Sequence, residues 1–317
     1  MFNRLIAAAS IVMLLAGAAR ANEQKPLNVV TSFSILADFT RQVGGDRVNV
    51  KSLVGSDGDS HVYTPTPADA KTVSEASLII VNGLGFEGWL PRLIKAAQGS
   101  SKLQATIVET TANIKPRKAE EDDHDHGHGH GHNHGHSHDH DSAFDPHAWQ
   151  SVANAKAYVA AIRDALMAAD KDQAETYRAN AEAYTAQLDA LERDIKAAVA
   201  TIPPARRQVI SSHGAFGYFS DAYGIAFIAP QGVSTESEPS ARAVARIIRQ
   251  IRQQKIPAVF LENMTDPRLM KRISSETKAK IGGTLYADSL TGENGAAPTY
   301  IAMMRHNIKT LTDALAN

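Results

Sequence analysis

Leu78-Ile-Ile-Val81, followed at once by Asn82-Gly-Leu-Gly85, sets four apolar residues in a row before a turn signal. Four such side chains leave no face for water. A strand buried on both faces belongs in a parallel sheet covered by helices on each side. The flanking stretches repeat the theme. Upstream, Leu27-Asn-Val-Val-Thr-Ser-Phe33 is β-rich and leads into a helical pattern through Gln42 that stops at Gly44-Gly45. Val48-Asn-Val-Lys-Ser-Leu-Val54 is a second strand, and Asp69 to Ala76 a short helix. Downstream, Glu87 to Ala97 is helical and Thr106-Ile-Val-Glu109 is a fourth strand. Strands alternating with helices predict a right-handed parallel α/β unit.

Further along, Ser151 to Ala169 is amphipathic. Ala174 to Ala200 is a longer helix, with Tyr177, Ala181, Tyr184, Leu188, Leu191, Ile195 and Val199 at a spacing close to 3.5 residues. It contains no Pro or Gly and ends at Pro203-Pro204, so it reads as a stiff connector. A second βα series follows. Its strands are Arg207–Ser212, Ile225–Ala229, Ala258–Glu262 and Thr284–Ala287; its helices are Gly214–Ala222, Ser240–Gln254, Asp266–Lys280 and Thr299–Ala316. The expected fold is therefore α/β, with two similar domains. Each has a roughly four-stranded parallel sheet flanked by helices, and one long rigid helix joins them. The expected divisions are a signal peptide at 1–21, a first domain at 22–170, the linking helix at 171–202 and a second domain at 203–317.

The N-terminus has the form of a targeting segment: charge at Arg4, apolar Leu5 to Ala19, and small-x-small Ala19-Arg20-Ala21. Cleavage after Ala21 is expected. The apolar run is too short for a comfortable membrane span. The sequence has no Cys, which removes disulfides, thiolate ligands and a lipidated cysteine. A free, soluble periplasmic protein is the expectation. The net charge is −1, and nothing in it argues for a nucleic-acid partner or an anionic membrane.

Between Asp122 and Asp141 lies a tract of another kind. His124, His126, His128, His130, His132, His134, His136, His138 and His140 alternate with Gly, Asp, Asn and Ser. Imidazole is the commonest metal ligand near neutral pH, and a tract this dense in it reads as accessory, low-affinity metal binding. Its spacers offer nothing apolar to bury, so a loop is expected there.

Four histidines lie outside that tract. His61 precedes Thr64-Pro-Thr-Pro67, His147 follows Asp145-Pro146, and His213 sits at a strand end before Gly214. Asp288 ends the last strand. Ligands in open α/β sheets bind beyond the carboxyl ends of strands. Three neutral imidazoles and one carboxylate would suit four-coordinate Zn2+, and a harder ion such as Mn2+ would favour more oxygen. From the residues alone, each histidine could instead be a hydrogen-bonded structural residue, and Asp288 a helix cap. His306 sits mid-helix and reads as a surface or interhelix residue. Asp145, Glu236, Glu238 and Glu262 are candidate partners for the far ring nitrogens. Tyr63 and Trp149 could shield the site, with core packing the plainer role for Trp149.

Several motifs carry a resemblance. His61-x-Tyr-x-Pro-x-Pro67, Asp145-Pro-His-x-Trp149, Ser212-His-x-Ala-Phe-Gly-Tyr218, Ser234-Thr-Glu-x-Glu-Pro-Ser240 and Leu285-Tyr-x-Asp-x-Leu290 resemble the zinc-uptake solute-binding proteins of bacterial ABC transporters. The resemblance covers nearly the whole mature chain, in order and at similar spacing. It implies two α/β domains around a rigid helix, with metal at their interface held by His61, His147, His213 and Asp288. It implies a monomeric periplasmic zinc receptor that delivers Zn2+ to an ABC permease and is no enzyme. A periplasmic zinc metallochaperone could supply the ion. Manganese-binding relatives typically have Glu at the position of His213, which favours zinc. Some zinc members have an acidic residue before the first ligand and a disulfide in the second domain; this chain has Ser60 and no Cys. The rival readings are a histidine-rich zinc buffering or storage protein, a zinc hydrolase and a manganese receptor. No HExxH occurs, and Asp288 as a ligand would fill the position that hydrolytic water needs.

Overall fold

The structure is a computed structural model that describes residues 25–99, 103–119 and 143–316. The segment 1–21 expected to be a signal peptide and the histidine tract at 122–141 lie outside the described residues.

The first half runs β1 (Leu27–Thr31), α1 (Ser34–Gly44), β2 (Val48–Ser52), α2 (Pro67–Ser74), β3 (Leu78–Val81), α3 (Leu90–Gln98) and β4 (Thr106–Glu109). Two short strands follow, β5 (Arg117–Lys118) and β6 (Phe144–Asp145), then α4 (Val152–Ala169) and the long α5 (Ala174–Ala200). The second half runs β7 (Gln208–Ile210), α6 (Gly217–Tyr223), β8 (Ala226–Ile228), α7 (Ala241–Gln254), β9 (Ala258–Glu262), α8 (Arg268–Glu276), β10 (Lys280–Leu285) and α9 (Tyr300–Leu315).

Each half builds a four-stranded parallel sheet. The orders are β2-β1-β3-β4 and β10-β9-β7-β8, which is one topology used twice. All four residues of β3 are buried, as its unbroken apolar run requires. The expected fold class is the observed one: two α/β halves joined through a long helix. The residues of α5 expected to face inward are those it buries, from Tyr177 to Val199.

Several boundaries differ from the sequence reading. The third helix begins at Leu90, not Glu87, because Pro91 takes its first turn and the Glu87 side chain holds the turn before it. The last strand begins at Lys280, four residues before the expected start, and runs through Gly282-Gly283. The register shifts between Ile281 and Thr284, so the two glycines form an irregularity inside the strand and not a break before it. The helix expected to reach Lys280 stops at Glu276 to leave that room. The β5–β6 pair, joined antiparallel, had no sequence signal.

The main core runs through both halves. Phe33, Phe39, Trp149, Tyr158, Tyr184 and Tyr300 belong to one cluster. A smaller cluster, including Ile247, Ile251, Met270 and Ile273, seals α7 and α8 onto the second sheet. The halves also share buried hydrogen bonds. The Trp149 indole donates to Ala287 O at 2.9 Å, and the Tyr300 hydroxyl donates to Trp149 O at 2.7 Å. Asp38 on α1 accepts from the Tyr300 amide at the start of α9, at 2.8 Å. A carboxylate at a helix N-terminus satisfies one of its orphan donors. Among the described residues, no helix is long and apolar enough to cross a membrane.

Candidate metal centre

Each of the four candidate residues lies on an irregular segment beyond a strand. His61 is carried by the loop from β2 to α2. Thr66 and Asp69 form a capping box that starts α2, with Pro67 in its first turn. The Tyr63 hydroxyl donates to Asp69 Oδ2, and the Trp89 indole donates to Ser60 O at 2.8 Å. The loop is thus pinned on both sides of His61.

His147 follows β6. The proline before it presents its carbonyl to Asn82 Nδ2 at 2.9 Å. Asn82 is held in turn by the Tyr158 hydroxyl and by Glu87, which accepts from the Asn82 and Gly83 amides and the Ser32 hydroxyl. Burial pushes the Glu87 carboxyl up, against those three hydrogen bonds. His213 follows β7, and Asp288 lies three residues past the end of β10.

The structure brings His61, His147, His213 and Asp288 together, each with one donor atom within 4.8 Å of the others. All four are buried. His61 Nε2 is 3.3 Å from His147 Nε2 and 3.4 Å from Asp288 Oδ2. Asp288 Oδ1 is 3.5 Å from His147 Nε2, and its Oδ2 is 3.1 Å from His213 Nε2. Donors at zinc bond lengths in a tetrahedron stand about 3.3 Å apart. These four separations bracket that value, and the whole set spans no more than 4.8 Å.

The far nitrogens fix which side of each ring is bare. His147 Nδ1 lies 2.8 Å from Asp145 Oδ1, and His213 Nδ1 lies 2.5 Å from Glu262 Oε2. An ionised carboxylate can only accept, so each Nδ1 carries a proton and donates it. The neutral ring then presents a lone pair at Nε2, toward Asp288. Neither Asp288 oxygen nor His213 Nε2 has a hydrogen-bond partner, although all are buried. The ion-pair contact between them is short but lacks hydrogen-bond geometry. Buried acceptors converging on acceptors need positive charge between them.

Without a metal ion, protons supply that charge. Burial works to lower His213, but Glu262 and Asp288 outweigh it and hold the imidazole well above the usual histidine range. Burial likewise opposes charge on His147, and Asp288 and Asp145 outweigh it, so its value is raised. His61 has less help from carboxylates, and burial lowers it. Burial works to raise Asp288, but the charges of His147 and His213 hold it well below the carboxylate range.

Of the four candidate outer partners, Asp145 and Glu262 meet the histidines. Each also accepts from backbone: the His147 amide for Asp145, and the Ser212 and His213 amides for Glu262. Glu236 and Glu238 are exposed and do not. Arg117 lies 3.6 Å from Asp145 Oδ2. His306 is away from the cluster, half-buried, with Nε2 3.0 Å from Thr284 O. Tyr63 packs on Trp89, at 5.1 Å between ring centroids, and the fully buried Trp149 packs on His147 at 5.2 Å. Phe86 forms another wall, 4.8 Å from the His61 ring. Phe86, Asn82 and Glu87 were missed in the sequence, where a single Asn-Gly turn gives no hint of a partner 64 residues away. The histidines from His124 to His140 lie outside the described residues.

Comparison with known proteins places this arrangement. The family profile described as ZnuA, zinc-uptake complex component A, periplasmic, matches residues 29–314. The manganese-binding lipoprotein MntA of Halalkalibacterium halodurans is 35% identical, over 92% of this chain and 89% of the relative. The iron-binding protein YfeA of Yersinia pestis is 33% identical, over 90% of this chain and 86% of the relative. Among solved structures, the periplasmic zinc-binding protein TroA of Treponema pallidum superposes with a TM-score of 0.80 at 29% identity. It covers 93% of this chain and all of TroA. The names span manganese, iron and zinc, so the likeness gives a metal-binding family without choosing the metal. Some relatives are called lipoproteins, at odds with the unanchored form expected from a sequence with no Cys. The chain belongs to the ZnuA family of periplasmic metal-uptake proteins.

Proposed function

We propose that this protein is a periplasmic zinc receptor. It binds Zn2+ through His61, His147, His213 and Asp288 and hands it to the permease of an ABC importer. The observation that carries the reading is the donor set: three imidazole nitrogens and one carboxylate, all within 4.8 Å of one another and with four contacts at 3.1–3.5 Å. Borderline-soft nitrogen donors in a tetrahedron suit zinc, whereas manganese favours more oxygen. With Asp288 as the fourth donor, no position is left for a hydrolytic water, which supports a carrier over a hydrolase. In this reading residues 22–170 and 203–317 are the two metal-holding domains and 171–202 the strut between them. The histidines of the 122–141 tract act as weak, fast-exchanging sites that raise the local zinc concentration. The protein acts as a monomer and takes zinc free or from a metallochaperone.

A second reading has support of its own: relatives at 35% and 33% identity bear manganese- and iron-binding names. The test is a titration of metal-free mature protein lacking residues 122–141, against a competing chelator, with Zn2+, Mn2+ and Fe2+ in parallel. The receptor reading expects one tight zinc, lost or greatly weakened by His213→Ala, and manganese weaker by at least about a hundredfold. Tighter manganese than zinc would transfer the reading to a manganese receptor. Without the tract, loss of every tight site would leave a histidine-rich buffer.

A further inference from the structure

We infer that Asp59 and Thr235 are positioning residues: they tie the loop of His61 to the half that carries His213, and so set how long a bound ion is kept. The inference rests on the receptor reading above. Asp59 uses its two carboxylate oxygens on different halves of the molecule. Oδ1 accepts from the backbone amide of His61 at 2.9 Å. Oδ2 accepts from the Thr235 hydroxyl at 2.7 Å, across 176 residues of chain. Thr235 lies in the segment from 229 to 240, which contains no helix or strand. That segment is joined to the other side of the site, because the amide of Gly214, next to His213, donates to Gly232 O at 2.9 Å. The approach is close: a Cβ on Gly214 would lie 3.3 Å from the Gly232 backbone. A continuous path therefore runs from the His61 amide through Asp59, Thr235 and Gly232 to Gly214 and His213.

A second tie stands beside it. The Asp57 amide donates to Leu290 O, two residues past Asp288, and Asn263 Nδ2 donates to Asp57 Oδ1, both at 2.9 Å. Asp57 adopts φ +56°, a left-handed conformation that Asp tolerates better than most non-glycine residues. The two ties differ in what they constrain. Asp57 holds the loop to the strand end that bears Asp288. Asp59 holds the first histidine itself to the cover over the third. Both Asp59 and Thr235 are half-buried, unlike the fully buried donors. A bond that water can reach opens without unfolding the core. Opening it parts the His61 amide from the segment joined to Gly214, while the bonds at Asp57, Ser60 and Tyr63 keep the rest of the loop in place.

The experiment loads the full mature chain with zinc and follows the slow phase of release into excess chelator. Thr235→Val keeps the shape and removes the donor; it is expected to release zinc about tenfold faster, in the range of other partners that orient ligands. Thr235→Ser restores the hydroxyl and should return the rate to within about twofold of wild type. Asp59→Ala should also release faster, and the double variant Asp59→Ala/Thr235→Val no faster than Asp59→Ala alone, since both cut one path. Wild-type release from Thr235→Val, failure of Thr235→Ser to rescue, or additive effects in the double variant would overturn the inference. Thermal melts of the metal-free variants separate a faster release from a poorly folded chain. If Thr235→Val folds badly, the Thr235→Ser and Asp59→Ala rates decide. Wild-type protein that holds no slow zinc at all would remove the receptor reading, and this inference with it.

Discussion

Glu262 shows how one carboxylate does two things for a ligand it does not share. It takes both the ring N–H of His213 and two backbone amides, so it fixes the orientation of the imidazole and raises its basicity. The second effect has a sign that can be followed. His213 is raised well above the ordinary histidine value when no metal is bound. Its charged form therefore stabilises the metal-free fold fully below the unfolded value near 6.5, and that contribution drains away as pH rises through the folded value. Metal needs the opposite state, with Nε2 bare. Zinc affinity is expected to fall about tenfold per pH unit as pH drops below the folded value of His213, one proton being displaced per ion, and more steeply where His147 also titrates. A chelator titration at steps from pH 8.5 to 5.5 reads this directly; a flat profile would show that no proton leaves. Glu262→Gln keeps an acceptor but not the charge. It is expected to weaken zinc about tenfold at pH 8.5. Because it lowers His213, the gap should narrow toward pH 6. A constant gap would mean that Glu262 only orients the ring. The four central residues stood out in the sequence as candidates because His147, His213 and Asp288 follow a proline or a strand and His61 precedes a Pro-x-Pro turn, and the family resemblance joined them into one set. Their outer partners were legible only where they were neighbours or strand-end acids. Asn82 and Phe86 reach the site through chain folding alone, and no local pattern encodes that.

At the level of elements, periodicity was legible and irregularity was not. The buried stripe of α5 could be read residue by residue because nothing interrupts its spacing. The β3 run could be read because its four residues have no polar face. β10 could not. Gly282-Gly283 looks like punctuation, yet it lies within the strand because the ring of Phe260 fills the space a side chain would take. A Cβ on Gly282 would fall 2.5 Å from Phe260 Cε1 and 3.0 Å from the Ala314 Cβ. The glycine thus lets β9, β10 and α9 pack at close range. Gly282→Ala overfills that junction, and a cost of about 1–3 kcal/mol is expected. Urea unfolding of the metal-free protein measures it through the shift in midpoint at constant slope. An unchanged midpoint would mean that Phe260 has room to turn away. The β5–β6 pair was invisible for a different reason. Two residues per strand carry no alternation, and only the fold brings Arg117 opposite Asp145.

On the scale of the whole molecule, the repeated strand order explains why one site needs both halves. Each sheet ends its strands toward the same cleft, and His213 and Asp288 come from one half while His61 and His147 come from the other. An ion bound there has affinity only for the arrangement in which both halves are folded and apposed. The core argues the same way, since Phe33, Trp149 and Tyr300 pack in one cluster and Trp149 donates to Ala287 across the boundary. Halves packed on one core are expected to share their stability. Calorimetry of protein lacking residues 122–141 is expected to show a single transition. Zinc should move that transition upward as a whole, by about 2.7 kcal/mol of added stability at a free concentration one hundred times the dissociation constant. Removing the tract matters for the reading, because weak sites also bind unfolded chains and would blunt the shift. Two transitions, with zinc moving only one, would show that the halves unfold independently and that the ion joins units already stable alone. In that case the shared aromatic core would contribute packing without cooperativity, and release of the ion could proceed by separation of intact halves. A single transition leaves local opening at the His61 loop as the cheaper route, because parting the halves would then expose the common core.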